Sequence, residues 1–330
     1  MTPEQLDDYL AKGWYRIGQH MIYCEYISWK KSVNGVIWTR VPLEHYKLSK
    51  SLRRKHRKVE QNFTVTVKPA IVDEEHQRVY ERYLTVAPGE RSEDLNDVLY
   101  GTFPDRALFD TWEVNIKKGD ELVAFSWFDK GATSLQSIIG VYNPDYASFG
   151  LGHYTMIKEI LTGIELGMDY YYAGYVLCQD TTMHYKLSTG HIEFLDRTQH
   201  AWVKEDELDV DTHDPLLRTE QALEQALDTP AFEDWDMYHN RHFELSAYAP
   251  NLKNCMAYPL VLWRQEREHS PFVLALAWDS VTQDYELLRC LRGVLATPDG
   301  SITIRDLFVV DRPLAMFTHL PDTLPDYSTE

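Results

Sequence analysis

Hydrophobic and polar positions follow two periods along this chain, and the change from one to the other marks its central stretch. Within residues 148–186 a glycine-containing turn, FGLG, leads into a segment where Ile157, Ile160, Leu161 and Ile164 recur at helical spacing. Gly167 stands where a helix C-terminal cap belongs. Residues 170–176 then read as an aromatic strand, interrupted at Gly174 by the lack of a side chain. Strand, glycine turn, helix and strand make an α/β unit whose helix N-terminus can receive an anion or a polar group. An ordinary core unit shows the same pattern, so both readings remain open at this point.

Upstream, residues 1–46 read as a small N-terminal lobe. Thr2 and Gln5 suggest a capping box before a short helix with Leu6, Tyr9 and Leu10 on one face. GWYRIGQHMIYCEYISW and GVIWTRVPL are rich in aromatic and β-branched residues, as strands are, with KKSVNG as the turn. Trp14, Trp29 and Trp38 are expected to pack rather than to bind. Residues 62–72 begin as a half-buried strand, and DEEHQRVYERYL continues as a helix with Val79, Tyr80 and Tyr83 on one side. Residues 112–116, 122–129 and 132–141 give an antiparallel meander. A meander followed by a glycine turn, a helix and a further strand is an α+β pattern, the order found in GNAT-type acyltransferases.

Downstream, residues 192–195 and 201–203 suggest a strand pair, and the acidic KEDELDVDTHDP a boundary near residue 205. LLRTEQALEQAL reads as a helix and AFEDWDMYHNRHFEL as helix or loop. Residues 258–264, 272–278, 285–291 and 302–310 read as strands, with TPDGS as a turn before the last. No motif here carries chemistry. The expected division is an N-terminal lobe at 1–46, a GNAT-like transferase core at 47–205, and a β-rich C-terminal accessory region at 206–330.

Composition sharpens this picture at two places. With 330 residues, 44% hydrophobic and 13% aromatic, the chain can form two domains with cores. No apolar run reaches membrane length, and the acidic start MTPEQLDDYL lacks signal-peptide features. Cys24, Cys178, Cys255 and Cys290 lie far apart, so reduced thiols, a cytoplasmic protein and no metal are expected. The net charge of −18 counts against nucleic-acid binding. The exception is KLSKSLRRKHRK, residues 47–58, with seven bases and no acid. Ser49 or Ser51 can cap a helix there, placing Lys50, Arg53, Arg54, Lys55, Arg57 and Lys58 on neighbouring turns. A solvated helix face is the plain alternative; arginine is suited to bidentate phosphate contact.

The order GWYRIG, TRVPLEHYKLSKSLRRKHRK, YERYL, VYNPD, LGHYTMIKEI, LGMDYYYAGYV and TMHYK resembles the arginyl-tRNA–protein transferases, in particular their bacterial aminoacyl-tRNA–protein transferase branch. The resemblance covers about residues 1–200. Matching positions are Pro42 with residues 49–58, Tyr142 with Pro144 and Asp145, residues 171–176, and Met183 with Tyr185 and Lys186. The family's N-terminal cysteine cluster is missing, since only Cys24 lies there, so no metal and no cofactor are expected. The resemblance implies transfer of an amino acid, with arginine the expected donor, from aminoacyl-tRNA to the N-terminal amine of an acceptor protein, which is N-degron tagging.

That chemistry needs an aligned amine and a stabilised oxyanion, with no covalent intermediate. Tyr172 and Tyr175 offer phenols, and Lys186 a charge for the oxyanion or the terminal adenosine. Tyr142, Gly174, Met183 and Tyr185 are the expected substrate-binding positions, and the six bases from Lys50 to Lys58 the tRNA-binding ones. Glu113 or Asp145 offers a carboxylate for an arginine side chain. Two alternatives stand beside this reading: a GNAT acetyltransferase using acetyl-CoA at FGLGH, and a non-catalytic RNA- or protein-binding relic. Fold alone does not separate them.

Overall fold

In the computed structural model, residues 1–89, 91–101, 107–204, 213–248, 252–296, 303–325 and 327 are described. The boundary expected near residue 205 and the TPDGS turn fall outside them. The chain divides into two compact units, residues 1–24, 36–196 and 200–209 against 25–35, 197–199 and 210–330.

The first unit opens with α1 (Pro3–Ala11), where Thr2 accepts from the Gln5 N–H and donates its own N–H to the Gln5 side chain, as the capping box predicts. Leu6 and Leu10 are buried, whereas Tyr9 is exposed. The long aromatic segment that follows is not one strand. Gly18, at φ +58°, turns the chain between β1 (Tyr15–Ile17) and β2 (His20–Ile22), and β3 (Tyr26–Trp29) is separate.

Next come β4 (Ser32–Pro42), α2 (Lys50–Glu60), β5 (Thr64–Pro69), α3 (Glu74–Leu84) and α4 (Leu95–Tyr100). The expected meander is β6 (Thr111–Lys118), β7 (Glu121–Lys130) and β8 (Ser134–Tyr142). A 3-10 turn (Pro144–Phe149), α5 (Leu151–Glu165) and β9 (Tyr170–Leu177) complete the central unit. A second 3-10 turn (Thr181–Thr189) leads to β10 (Glu193–Asp196) and β11 (Ala201–Lys204).

These strands line up as β11-β10-β4-β9-β8-β7-β6-β5. Every neighbouring pair is antiparallel except β8 and β9, which α5 joins as a crossover. The fold is therefore α+β, with an antiparallel meander feeding a helix and a parallel strand. Between α3 and the sheet, Tyr80, Leu95, Phe125 and Trp127 are fully buried. Each such side chain contributes about 1.5–3 kcal/mol by leaving water.

Two features position the site. First, α5 is bracketed by glycines at positive φ, Gly150 (+66°) and Gly167 (+71°). At its C-terminus the Gly167 N–H reaches Ile164 O (3.1 Å) and the Met168 N–H reaches Gly163 O (2.9 Å), closing the last turn. The buried face differs slightly from the periodicity: Ile157 and Ile160 are buried, but Ile164 is exposed. The helix meets its neighbours at Gly163, where a Cβ would come within 2.7 Å of Leu43 Cδ1, and Glu159 and Thr162 are buried with it.

Second, β8 and β9 pair only at Ser134–Tyr170, Leu135–Tyr171 and Gln136–Tyr172, and then part. On the other side of β9, Thr39 pairs with Gly174 but Arg40 pairs with Tyr172, leaving Ala173 as an extra residue. This bulge, with Gly174 at φ +88°, bends β9 away from β8.

The second unit carries α6 (Pro215–Leu227) and the sheet β12-β13-β14-β15-β16, formed by Asp236–His239, Leu260–Gln265, Phe272–Trp278, Tyr285–Ala296 and Thr303–Phe317. Four of these are the expected strands; β12 falls where helix or loop was predicted. DMYH is too short for periodicity to identify, and it becomes a strand because Tyr238 stacks on Phe308 (4.6 Å) while Met237 pairs with Leu262.

Candidate active site

The opening between β8 and β9 gathers Tyr15, Gly174, Tyr175 and Lys186. Tyr15 reaches β8 just past its last pair with β9, where its hydroxyl donates to Ser137 O and, at 3.4 Å, to Ile138 O. The Tyr15 ring spans the gap, because a Cβ added to Gly174 on β9 would lie 3.2 Å from its Cε2. The same Cβ would lie 3.3 Å from Lys186 Nζ. Only a glycine lets the phenol and the ammonium approach β9 together.

Lys186 reaches this point from the 3-10 turn after β9. Its Nζ donates to the Tyr175 carbonyl (2.8 Å) and lies 5.4 Å from the Tyr175 ring centre. An ammonium has three N–H donors, and this carbonyl takes one. Burial, with a smaller contribution from the Arg91 charge, lowers the Lys186 pKa to about 8. An aromatic wall completes the opening: the ring centres of Tyr15 and Trp38 are 5.4 Å apart, and those of Trp38 and Tyr175 5.2 Å.

Beneath β8 and β9, on the α5 side, Glu159 is fully buried. It accepts from Ser126 and from the Tyr171 hydroxyl (2.7 Å). Burial raises its pKa to about 7, although hydrogen bonds from Ser126, Tyr171 and Ser137 oppose the rise.

Gly174, Tyr175 and Lys186 are thus brought together. Tyr172 is not with them. The bulge does put Tyr172 and Tyr175 on one face, because their β4 partners Arg40 and Trp38 are two residues apart. Along that face, however, Tyr172 packs in a cluster with Leu6, Leu10 and Phe109, its ring 5.6 Å from that of Trp202. Tyr185 is half exposed on the turn, 6.4 Å from the His153 ring. Tyr142 packs against Tyr83 (5.4 Å) and beside Gly152. Met183 is half-buried on the same turn as Lys186.

The basic run is α2, capped by Ser49, which accepts from the Leu52 N–H. Leu52 and Val59 are buried, and Lys50, Arg53, Arg54, Arg57 and Lys58 are exposed. Among the described residues Lys50, Arg53, Arg54 and Arg57 make no side-chain ion pair. Lys58 donates to Ser148 O (3.0 Å), and Lys55 turns inward to His153 Nδ1. The carboxylates weighed for an arginine side chain are already engaged. Glu113 is buried, with His76 (3.2 Å) and Lys68 (3.2 Å), and Asp145 pairs with Arg82 (2.5 Å).

Tyr15, Glu159, His153 and Ser188 were not singled out from the sequence. Tyr15 lies within the GWYRIG element of the resemblance, the one signal that pointed to it; its partner Ser137 is 122 residues away.

Comparison with known proteins bears on the family. Residues 75–196 match the family model described as "Arginine-tRNA-protein transferase, C terminus". The resemblance to aminoacyl-tRNA–protein transferases stands. An aspartate/glutamate leucyltransferase of Campylobacter jejuni is 24% identical over 208 residues, 62% of this chain and 85% of that protein. Among solved structures, L-PGS from Bacillus licheniformis aligns with a TM-score of 0.32 at 15% identity, over 46% of this chain and 52% of that one. A GCN5-related N-acetyltransferase-like protein from Streptococcus suis aligns with a TM-score of 0.28 at 13% identity, over 51% and 63%. The alignments thus span less than two thirds of either solved chain. Among the described residues, no helix is long and apolar enough to cross a membrane.

Proposed function

We propose that this chain is an aminoacyl-tRNA–protein transferase that moves an amino acid from its tRNA ester to the N-terminal amine of an acceptor protein. The observation that carries this reading is the opening between β8 and β9, where Lys186, Tyr15 and Gly174 converge. A neutral amine attacks the ester carbonyl carbon there. The C–N bond forms, the bond to the ribose oxygen breaks, the amine loses a proton and the ribose oxygen gains one. Lys186, protonated below about pH 8, presents its free N–H groups to the developing oxyanion or to the leaving oxygen. Tyr175 orients Lys186 through its carbonyl, and Tyr15 lines the opposite side. Tyr142 beside Gly152 and Tyr185 beside His153, with Met183 on the turn that carries Tyr185, would serve as substrate-binding positions. The exposed bases of α2 serve the tRNA backbone. A charged tRNA as donor fits a cytoplasmic location.

Leucine is the donor that the site favours. Tyr15, Trp38 and Tyr175 form an aromatic wall, Glu113 and Asp145 are occupied, and the Campylobacter jejuni relative is named a leucyltransferase. That name also suggests aspartate or glutamate at the acceptor N-terminus, and the product would be an N-degron. Arginine is the second reading, favoured by one observation: the family model that matches residues 75–196 is described by arginine. Incubation with leucyl- and arginyl-tRNA and with acceptor peptides starting in Asp, Glu or Ala, read by mass spectrometry, tests both. A mass gain of leucine on the acidic peptides is expected. No gain with any charged tRNA would remove the transferase reading in favour of acetyl transfer or a non-catalytic relic.

A further inference from the structure

Three segments distant in the sequence are joined by a hydrogen-bonded chain beside the opening. Lys55 on α2 meets His153 Nδ1 in the first turn of α5, and His153 Nε2 lies 3.0 Å from Ser188 Oγ on the 3-10 turn. Ser188 also donates to Tyr185 O (2.6 Å), and Lys186 lies between these two residues. The network assigns the tautomer. An ammonium can only donate, so Nδ1 accepts from Lys55 and Nε2–H donates to Ser188, whose own hydrogen goes to Tyr185 O. Burial and the facing Lys55 charge keep His153 neutral, at about 4. In this arrangement Ser188 has no base to take its proton, so the triad of Lys, His and Ser is not a nucleophile. It is a mechanical link, and every donor in it is directed one way.

We propose that His153 and Ser188 are positioning residues that hold the turn carrying Lys186, and that Lys55 connects this turn to the basic helix. The consequence is mechanical support. With the link intact, α2 stays seated on α5 through Lys55, and Lys186 stays beside Gly174. Breaking the link leaves Lys186 on a looser turn that Tyr46 still anchors through Thr189 O (2.7 Å). The loss then falls on turnover rather than on binding. For its kinetic readout this inference rests on the transferase reading.

The test uses Ser188→Ala, His153→Ala and their double variant, with Ser188→Thr as the conservative replacement. Ser188 is exposed and its truncation is small, so the fold persists. Each single variant is expected to lower kcat about tenfold, the scale of one hydrogen bond, with KM for tRNA unchanged. The double variant should lose no more than the worse single one, because both break one chain. Ser188→Thr should recover most of the rate. An independent readout needs no activity. NMR titration of 15N-labelled lysine should show Lys186 moving from about 8 towards the ordinary lysine value in His153→Ala, as the turn opens to water. Unchanged kcat, additive losses, or a loss confined to KM would overturn the proposal, as would an unmoved Lys186 titration. If no transfer occurs in the wild type, the titration alone decides it, and the function falls separately.

Discussion

At the residue scale the site depends on Gly174, Lys186 and the two tyrosines that flank them. Gly174→Ala forces a Cβ into the left-handed region and into contact with Tyr15 and Lys186. A loss of about 1–2 kcal/mol is expected from the backbone, together with near-complete loss of transfer; a soluble variant with wild-type turnover would place the chemistry elsewhere. Lys186→Ala should raise the barrier by about 2.7–4 kcal/mol, the usual result of removing a donor from an oxyanion. The pH profile refines this. Turnover rises as the acceptor amine deprotonates near about pH 8 and falls as Lys186 loses its own proton at about 8, so the maximum should be narrow. In Lys186→Arg the falling limb should vanish, because arginine stays charged. Tyr175→Phe and Tyr172→Phe should differ little in kcat. Tyr175 serves through its carbonyl, which survives the change, and Tyr172 packs beside α1 rather than at Lys186.

At the scale of elements, α2 is a helix with one apolar edge and an exposed row of bases, of which Lys50, Arg53, Arg54 and Arg57 make no side-chain ion pair among the described residues. Ser49 caps it, Leu52 and Val59 seat it, and Lys58 ties it to the 3-10 turn before α5. Reversing Arg53, Arg54 and Arg57 to Glu therefore leaves the fold in place. It should weaken tRNA binding and flatten the dependence of log Kd on log salt by about one unit for each phosphate no longer neutralised. Filter binding across 50–200 mM salt checks this, and unaltered affinity at low salt would make α2 a solvated face. This element was legible in the sequence because a cap, two apolar residues and a charge row are all local. The same holds for α1 and its capping box, and for Gly167 closing α5. The inward turn of Lys55 was not legible, since its partner His153 belongs to another helix.

At the scale of the whole molecule, folding forces a carboxyl group into the first unit's core, and stability should follow its titration. Glu159 has a folded pKa of about 7 against an ordinary value of 4.5. Between these values the folded chain holds a proton that the unfolded chain has released, so stability falls as pH rises through this window, and no further above it. The effect amounts to roughly 3 kcal/mol. Wild type should thus lose part of its urea resistance between pH 5 and pH 8, and Glu159→Gln should narrow that difference; an equal difference in both would show that Glu159 is not the cause. Local sequence was enough to specify most of the elements. Caps, periodicity and turns mark the meander, α5 and β9, and the charge run marks α2, because each depends on neighbours within a few residues. β12 escaped because four residues carry too little pattern. The ordered motifs likewise carried the family resemblance. Which groups meet was settled by packing in three dimensions. Tyr15 crosses 122 positions to Ser137, and Glu113, a candidate ligand by type, is consumed by His76 and Lys68. Tyr172 and Tyr175 are three residues apart in the chain, but only the bulge at Ala173 put them on one face, and packing then separated them. The physical reason is that strand divergence and burial are set by neighbours across the sheet, which no local pattern encodes.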